Sequence, residues 1–311
     1  MFSKNFLLFF TSTVLLACSF HQAAGQKPGC SLYVSDKVGC SGPVDIYQMQ
    51  NYFTQLSQNV TLKLTELSIG NNPAIQRLPV GLLGNLRFDK IEIIGCPNLV
   101  QVDDFLGASS ESLMVLNMYY NSLSEMPQLT ARKLGMLHVD QPGKQFVVRR
   151  TAFRQMKDIW RLELGNVLVE PFAFIDSKKL AVLKIHNLSP EPLAAGTFNF
   201  DSPALGYVEL TSYDSWEGHA EPGTFGGFLN TTWFRLGAAA KVSPDIFFPV
   251  LSSSTLFEIG RPVRCDCQVA WIRLSTFLPR TTIRCGNETS YVSLQEVDEA
   301  EFKDCGAICS A

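Results

Sequence analysis

A short apolar pattern of the form L-x-x-L-x-L recurs along this chain at nearly even intervals. Its fourth position falls at Leu67, Ile91, Leu116, Leu137, Leu162, Leu183, Val208, Phe234 and, in a weaker copy, Phe257, with steps of 24, 25, 21, 25, 21, 25, 26 and 23 residues. In the copy Leu113-Met114-Val115-Leu116-Asn117-Met118-Tyr119-Tyr120-Asn121, the side chains of Leu116 and Met118 are two apart and share one face of a short strand. Leu113 enters the core just before the strand. Asn121 stands where the chain turns away, and a buried carboxamide there can satisfy backbone groups of the adjacent copy. The set Leu64, Leu67, Ile69 and Asn72 repeats the arrangement, and Phe88, Ile91, Ile93 and Cys96 repeat it with Cys in the Asn place.

A self-similarity of 20–29 residues carrying this pattern is the mark of a leucine-rich repeat solenoid. No single copy can bury its apolar face, so the copies must stack. About nine strands at roughly 4.8 Å spacing predict a parallel sheet along the concave side of a horseshoe. Six phenylalanines, Phe105, Phe153, Phe174, Phe198, Phe225 and Phe247, follow strand positions by 12–17 residues and are expected to fill the core from the convex side. Later copies lose the Asn; Val167, Tyr213 and Ala239 stand near its place. Irregular loops and little helix are expected on the convex side of this α/β-type fold.

The expected organisation is a secretory leader over residues 1–25, an amino-terminal cap over 26–56, repeats over 57–260 and a cysteine-rich cap over 261–311. Lys4, the apolar run Phe6 to Ala17 and the small residues Ala23-Ala24-Gly25 make the leader, with cleavage before Gln26 or near Ser19. A lipid-accepting Cys18 after Leu15-Leu16-Ala17 is the rival reading. No second apolar run is long enough to span a bilayer. A net charge of −3 gives no basic footprint for nucleic acid. Asn59, Asn187, Asn230 and Asn287 begin glycosylation triplets; Pro190 disfavours the second, and Asn230 reads as the best acceptor.

Eight cysteines follow the leader, and an oxidising compartment makes disulfides the default. Cys30 and Cys40 fit a short closed loop in the amino-terminal cap. Cys96, in an Asn place, reads as a buried free thiol. Cys309 is free or cross-linked to another chain; pairing with Cys96 would need an implausible fold-back. The Cys265-Asp266-Cys267 pair lacks the companions a zinc site needs, so no metal is expected.

The run Pro262, Cys265, Cys267, Trp271-Ile272, Cys285, Leu294, Phe302 and Cys305 resembles the carboxy-terminal cap of extracellular leucine-rich repeat proteins. That resemblance implies Cys265–Cys285 and Cys267–Cys305 disulfides. The chain departs from it after Cys285, where Gly286-Asn287 replaces the Pro often found nearby. The opening copies Leu67-Ser68-Ile69-Gly70-Asn71-Asn72-Pro73, Leu78-Pro79-Val80-Gly81-Leu82-Leu83-Gly84 and Ile91-Glu92-Ile93, with the Cys30/Cys40 start, resemble a group of secreted arthropod leucine-rich repeat proteins. That group includes the non-catalytic subunit of the luciferase of the deep-sea shrimp Oplophorus. The resemblance implies a carrier or accessory role beside a separate catalytic chain.

Two solvent-facing columns can be read from the strands. The residue before each central apolar position gives Glu66, Lys90, Val115, Met136, Arg161, Val182, Tyr207 and Trp233. The residue after it gives Ser68, Glu92, Asn117, His138, Glu163, Lys184, Glu209 and Arg235. With Tyr119 and Trp160 nearby, the stretch holding Tyr207, Trp233, Arg161 and Arg235 has the composition of a protein-binding surface. The competing reading is that a degenerate loop or a sugar chain covers these aromatics. His138 with Glu163, and Lys184 with Glu209, stand in register one copy apart and suit surface ion pairs better than acid–base chemistry. His186 and His219 show no companions in the sequence. Catalytic and cofactor motifs are missing, so the expected function is a secreted, non-enzymatic protein-binding scaffold that needs no cofactor. The alternatives are an extracellular recognition or adhesion protein in defence or development and, remotely, an enzyme.

Overall fold

A computed structural model describes residues 28–58, 64–189, 191–211, 219–228, 232–239, 241–287 and 289–305. The leader, the Cys18 lipid site, Asn59, Tyr213, Asn230 and Cys309 lie outside these residues. The described chain forms a mostly parallel α/β arrangement built on a 13-stranded sheet. Its strands follow chain order: β1 (Gly29–Val34), β2 (Lys37–Ser41), β3 (Glu66–Gly70), β4 (Lys90–Ile94), β5 (Val115–Tyr119), β6 (Met136–Asp140), β7 (Arg161–Val169), β8 (Val182–Leu188), β9 (Tyr207–Thr211), β10 (Thr232–Leu236), β11 (Ser254–Ile259) and β12 (Thr281–Thr282). The short strand Phe146–Val148 joins by pairing with the far end of β7. Only β1 runs against its neighbour in this sheet.

The register places the central apolar positions side by side, in the order Val38, Leu67, Ile91, Leu116, Leu137, Leu162, Leu183, Val208, Phe234, Phe257 and Thr281. All the apolar members are at most 2% exposed, so the weak copy at Phe257 is a full rung. The ladder also gains a rung at each end that the repeat pattern did not indicate. At the start, Val38 and Cys40 point inward from β2, so part of the expected amino-terminal cap is sheet. This arrangement is compatible with a solenoid-like fold.

Helix is scarce, as the glycine- and proline-rich connections predict. α1 (Ile46–Ser57) starts at a capping box in which Asp45 Oδ1 accepts from Gln48 N at 2.9 Å and Gln48 Oε1 from Asp45 N at 3.1 Å. It buries Met49 and Phe53 against the first rungs. α2 (Pro244–Ser253) buries Ile246, Phe247, Val250 and Leu251. α3 (Cys267–Arg273), capped by Asp266, buries Val269 to Ile272, and the Trp271 indole donates to Val242 O at 2.9 Å.

All six periodic phenylalanines are at most 1% exposed. Five of them form a continuous stack: Phe153 on Phe174, Phe174 on Phe198, Phe198 on Phe225 and Phe225 on Phe247, with centroid separations of 5.8, 6.0, 5.6 and 5.5 Å. The asparagines behave as their spacing requires. Asn72 Nδ2 donates to Val44 O at 2.8 Å; Asn121 Nδ2 donates to Ile93 O at 3.0 Å, and its Oδ1 accepts from Cys96 N at 3.2 Å. Each thus ties one traverse of the chain to the one before it. A feature missed in the sequence sits one residue earlier. Asn71, Gly95, Tyr120, Asn166 and Asn187, each four after a central position, all take positive φ between 49° and 68°. Asn and Gly tolerate that left-handed turn; Tyr120 does so at a cost.

Disulfides join Cys30 to Cys40, Cys265 to Cys285 and Cys267 to Cys305, all near the ends of the described chain. Cys96 is a buried free thiol whose pKa burial pushes up to about 11. Such a thiol stays protonated and unreactive at neutral pH.

The solvent-facing side of the sheet

Alternation along each strand sends every second residue to the open side of the sheet, and the register lines these residues into lanes. One lane runs Glu66, Lys90, Val115, Met136, Arg161, Val182, Tyr207, Trp233. The next runs Ser68, Glu92, Asn117, His138, Glu163, Lys184, Glu209, Arg235 and extends to Glu258. Both lanes match the columns expected from the sequence. A third lane, Ile94, Tyr119, Asp140, Gly165, His186, Thr211, was not singled out beforehand. The same alternation, carried two residues further, would have found it.

Charges on the two lanes largely neutralise one another. Glu66 meets Lys37 at 3.2 Å and Lys90 at 3.8 Å, and Lys90 meets Glu92 at 2.8 Å. Further along, Arg235 bridges Glu209 at 3.1 Å and Glu258 at 3.5 Å. Glu209 is buried. It accepts from the Tyr207 hydroxyl at 2.9 Å and lies 3.8 Å from Lys184 Nζ. It therefore holds its neighbours in place and presents little to a ligand. Burial, then Glu209, raises the Tyr207 phenol above its ordinary range.

At the middle of the sheet the lanes converge on His138. Its Nδ1 lies 2.8 Å from the Tyr119 hydroxyl and 3.1 Å from Glu163 Oε2. Arg161 holds the other Glu163 oxygen through Nε at 2.9 Å and a terminal nitrogen at 2.5 Å. The Asp140 carboxylate leans over Gly165, where a Cβ would collide with it. Burial raises the Glu163 carboxyl, but His138 and Arg161 together hold it below its ordinary value. An ionised Glu163 facing Nδ1 places the imidazole proton on that nitrogen. Tyr119 and Glu163 thus address the same ring nitrogen, which fixes the orientation of the imidazole. His186 was expected to stand alone. Instead its Nδ1 lies 3.1 Å from Thr211 Oγ1, because the register sets their strands side by side.

Burial depresses the His138 pKa below its ordinary 6.5, outweighing the opposite pull of Glu163 and Asp140; His186 and Arg161 add to the depression. The sign follows from linkage. Above pH 6.5 the ring is neutral in both folded and unfolded chains. Below it the unfolded chain takes the proton first, so folded stability falls as pH drops through the two pKa values. His138→Gln is therefore expected to flatten the loss of melting temperature between about pH 7 and about pH 5. An unchanged slope would show that His138 titrates alike in both states.

The aromatic end of the first lane remains open. Trp233 is 40% exposed and stands edge-on to Tyr207 at 5.4 Å. Trp160 is 43% exposed and lies just ahead of Arg161, with its indole over Gly135. Two shallow depressions lie elsewhere: one of about 410 Å³ between α1 and Gly81–Asn85, the other of about 230 Å³ beside Val169, Pro171 and Leu188. Among the described residues no group of three His, Cys, Asp or Glu side chains is placed to hold a metal ion, and no helix is long and apolar enough to cross a membrane. No protein-family model matches the chain, and no curated protein compared with it matches.

Proposed function

We propose that this chain is a secreted, non-enzymatic binding scaffold: a leucine-rich repeat horseshoe that grips a protein partner with its concave sheet face. The observation carrying this reading is the exposed Trp233, edge-on to the half-buried Tyr207 and flanked by Arg235, with the exposed Trp160 beside Arg161 further along the same side. Exposed aromatics beside arginines are what binding hot spots are made of. The charged residues of the two lanes pair with one another, so they can meet a partner without leaving an isolated ion buried. The three disulfides and the expected leader favour export. The absence of a recognised catalytic motif in the sequence favours binding over chemistry. By its resemblance to the shrimp luciferase partner, the sharper form of the proposal is a non-catalytic accessory subunit. Cys309, near the end of the chain, is a candidate for an intermolecular disulfide.

The test begins with non-reducing and reducing electrophoresis of the protein from its native fluid, with mass spectrometry of each chain that travels with it. A discrete second chain is expected. Its affinity for the Tyr207→Ala/Trp233→Ala variant should fall at least about tenfold, since a hot-spot truncation costs about 2 kcal/mol or more. Unchanged affinity in a variant that melts like the parent would overturn the concave-face assignment. A protein that travels alone would favour recognition of a cell surface instead.

A further inference from the structure

The glycosylation triplets at Asn187 and Asn287 share a sequence pattern but occupy opposite settings. Asn187 sits at the left-handed turn that ends β8, with φ 60°, and its Nδ2 donates to Asn166 Oδ1 at 2.5 Å. One of its two Nδ2 hydrogens is thus engaged across the strands, and the side chain is half-buried. The hydroxyl residue of that triplet, Ser189, is 3% exposed. A sugar takes the place of one Nδ2 hydrogen, and at this half-buried turn it would force bulk beside the paired β7 and β8.

Asn287 is exposed and lies between β13 (Arg284–Gly286) and β14 (Tyr291–Ser293), an antiparallel hairpin in the carboxy-terminal cap. Its Oδ1 accepts from Thr289 N at 3.0 Å, Thr289 Oγ1 at 2.8 Å and Ser290 N at 2.9 Å. These bonds use only the oxygen and fix the carboxamide, leaving Nδ2 for substitution. The hairpin also has something to cover. Tyr291 and Val292 are 49% and 50% exposed, and Arg284 lies over one face of the Tyr291 ring at 4.7 Å. Val263 bridges the β13 edge, its N donating to Arg284 O at 2.8 Å and its O accepting from Gly286 N at 3.0 Å, while among the described residues no strand lies beside the β14 edge. An open edge carrying exposed apolar side chains invites pairing with other chains.

We propose that Asn287, and not Asn187, carries an N-linked glycan, which shields this hairpin. The inference rests on the secretory reading above. In the transfer, a lipid pyrophosphate-linked oligosaccharide is the donor. A bond forms between its C1 carbon and Asn287 Nδ2, the C1–phosphate bond breaks, lipid pyrophosphate leaves, and Nδ2 gives up one proton. A sugar attached to the nascent chain must still be accommodated when the chain folds. Asn287 is exposed and accommodates the sugar in solvent; at Asn187 it must be fitted against a half-buried turn beside the buried Leu188 and Ser189.

Full-length protein should be produced in secreting eukaryotic cells twice, once with its own leader and once with a heterologous one. The product is treated with peptide N-glycosidase in heavy-oxygen water and its peptides are sequenced by mass spectrometry. Asn287 is expected to acquire the label and Asn187 to lack it, and Asn287→Gln should remove one step of gel mobility where Asn187→Gln removes none. An unlabelled Asn287 in protein exported by the heterologous leader overturns the inference, as does a labelled Asn187. Failure of export with the natural leader alone overturns the secretory reading and leaves the heterologous product to decide the sugar. Greater self-association of the Asn287→Gln protein supports the shielding role; unchanged self-association overturns it.

Discussion

Replacing Phe174 by alanine is expected to cost about 3–5 kcal/mol of unfolding free energy, and more than the same change at Phe105. Both rings are fully buried, so the loss of transfer free energy and the cavity left behind are alike in kind. Phe174 differs in its neighbours. It touches Phe153 at 5.8 Å, Phe198 at 6.0 Å and Phe200 at 5.7 Å, all nearly parallel. Aromatic pairs contribute about 0.5–1.5 kcal/mol each beyond buried area. Their loss should separate the two variants by roughly 1 kcal/mol or more. The cavity would also open in the middle of a stack that links successive traverses, where neighbours can collapse inward only by leaving their own partners. Equilibrium urea unfolding of both variants measures the difference. Equal costs would mean that the stack is only close packing, with no added ring–ring contribution.

Those phenylalanines were legible in the sequence because one follows most strand positions by 12–17 residues, and a large apolar side chain that recurs in each copy of a stacked fold is a core residue. The two solvent lanes through Arg161 and Glu163 were legible for a related reason. Strand alternation has period two, so fixing Leu162 inward fixes both neighbours outward. What went unread was the lane beyond these two. His186 and Thr211 hold the same place, three residues after the central position, in adjacent copies, and the register brings them within hydrogen-bonding distance. Glu209 shows a second limit. Its place in a polar lane is readable, but its burial depends on the sizes of Tyr207, Lys184 and Arg235 around it. The left-handed turns at Asn166 and Asn187 were present in the sequence as an Asn or Gly four residues after the central position. Attention to the following Asn place, which buries its side chain, hid them. The extra rungs at Val38 and Thr281 were hidden because neither carries a leucine triplet.

Serine at both Cys267 and Cys305 should destabilise the carboxy-terminal cap by about 4 kcal/mol, more than the corresponding change at either other disulfide. The chain-entropy relation scales with the logarithm of the loop closed, and the separations are 38, 20 and 10 residues for Cys267–Cys305, Cys265–Cys285 and Cys30–Cys40. It gives about 3.9, 3.3 and 2.7 kcal/mol in that order. Position reinforces the ranking. Cys267 begins α3, which carries Trp271 and Ile272 onto the end of the core, and Cys305 follows Phe302, which is 2% exposed. Without the bridge, the segment from Tyr291 to Cys305 is held by its hairpin pairing to Arg284–Gly286, by the buried Leu294, Val297 and Phe302, and by Arg273, which meets Val297 O at 3.0 Å and Glu299 at 2.9 Å. Detachment would expose Trp271 and the apolar face behind β11 and β12. The expected signature is local: faster amide exchange across 267–305, protection retained in β4 to β8, and a lower unfolding midpoint. Uniform loss of protection through the whole sheet would instead show that the cap and the distant rungs unfold as one cooperative unit. Protection unchanged in the cap would show that its core holds without the covalent tie.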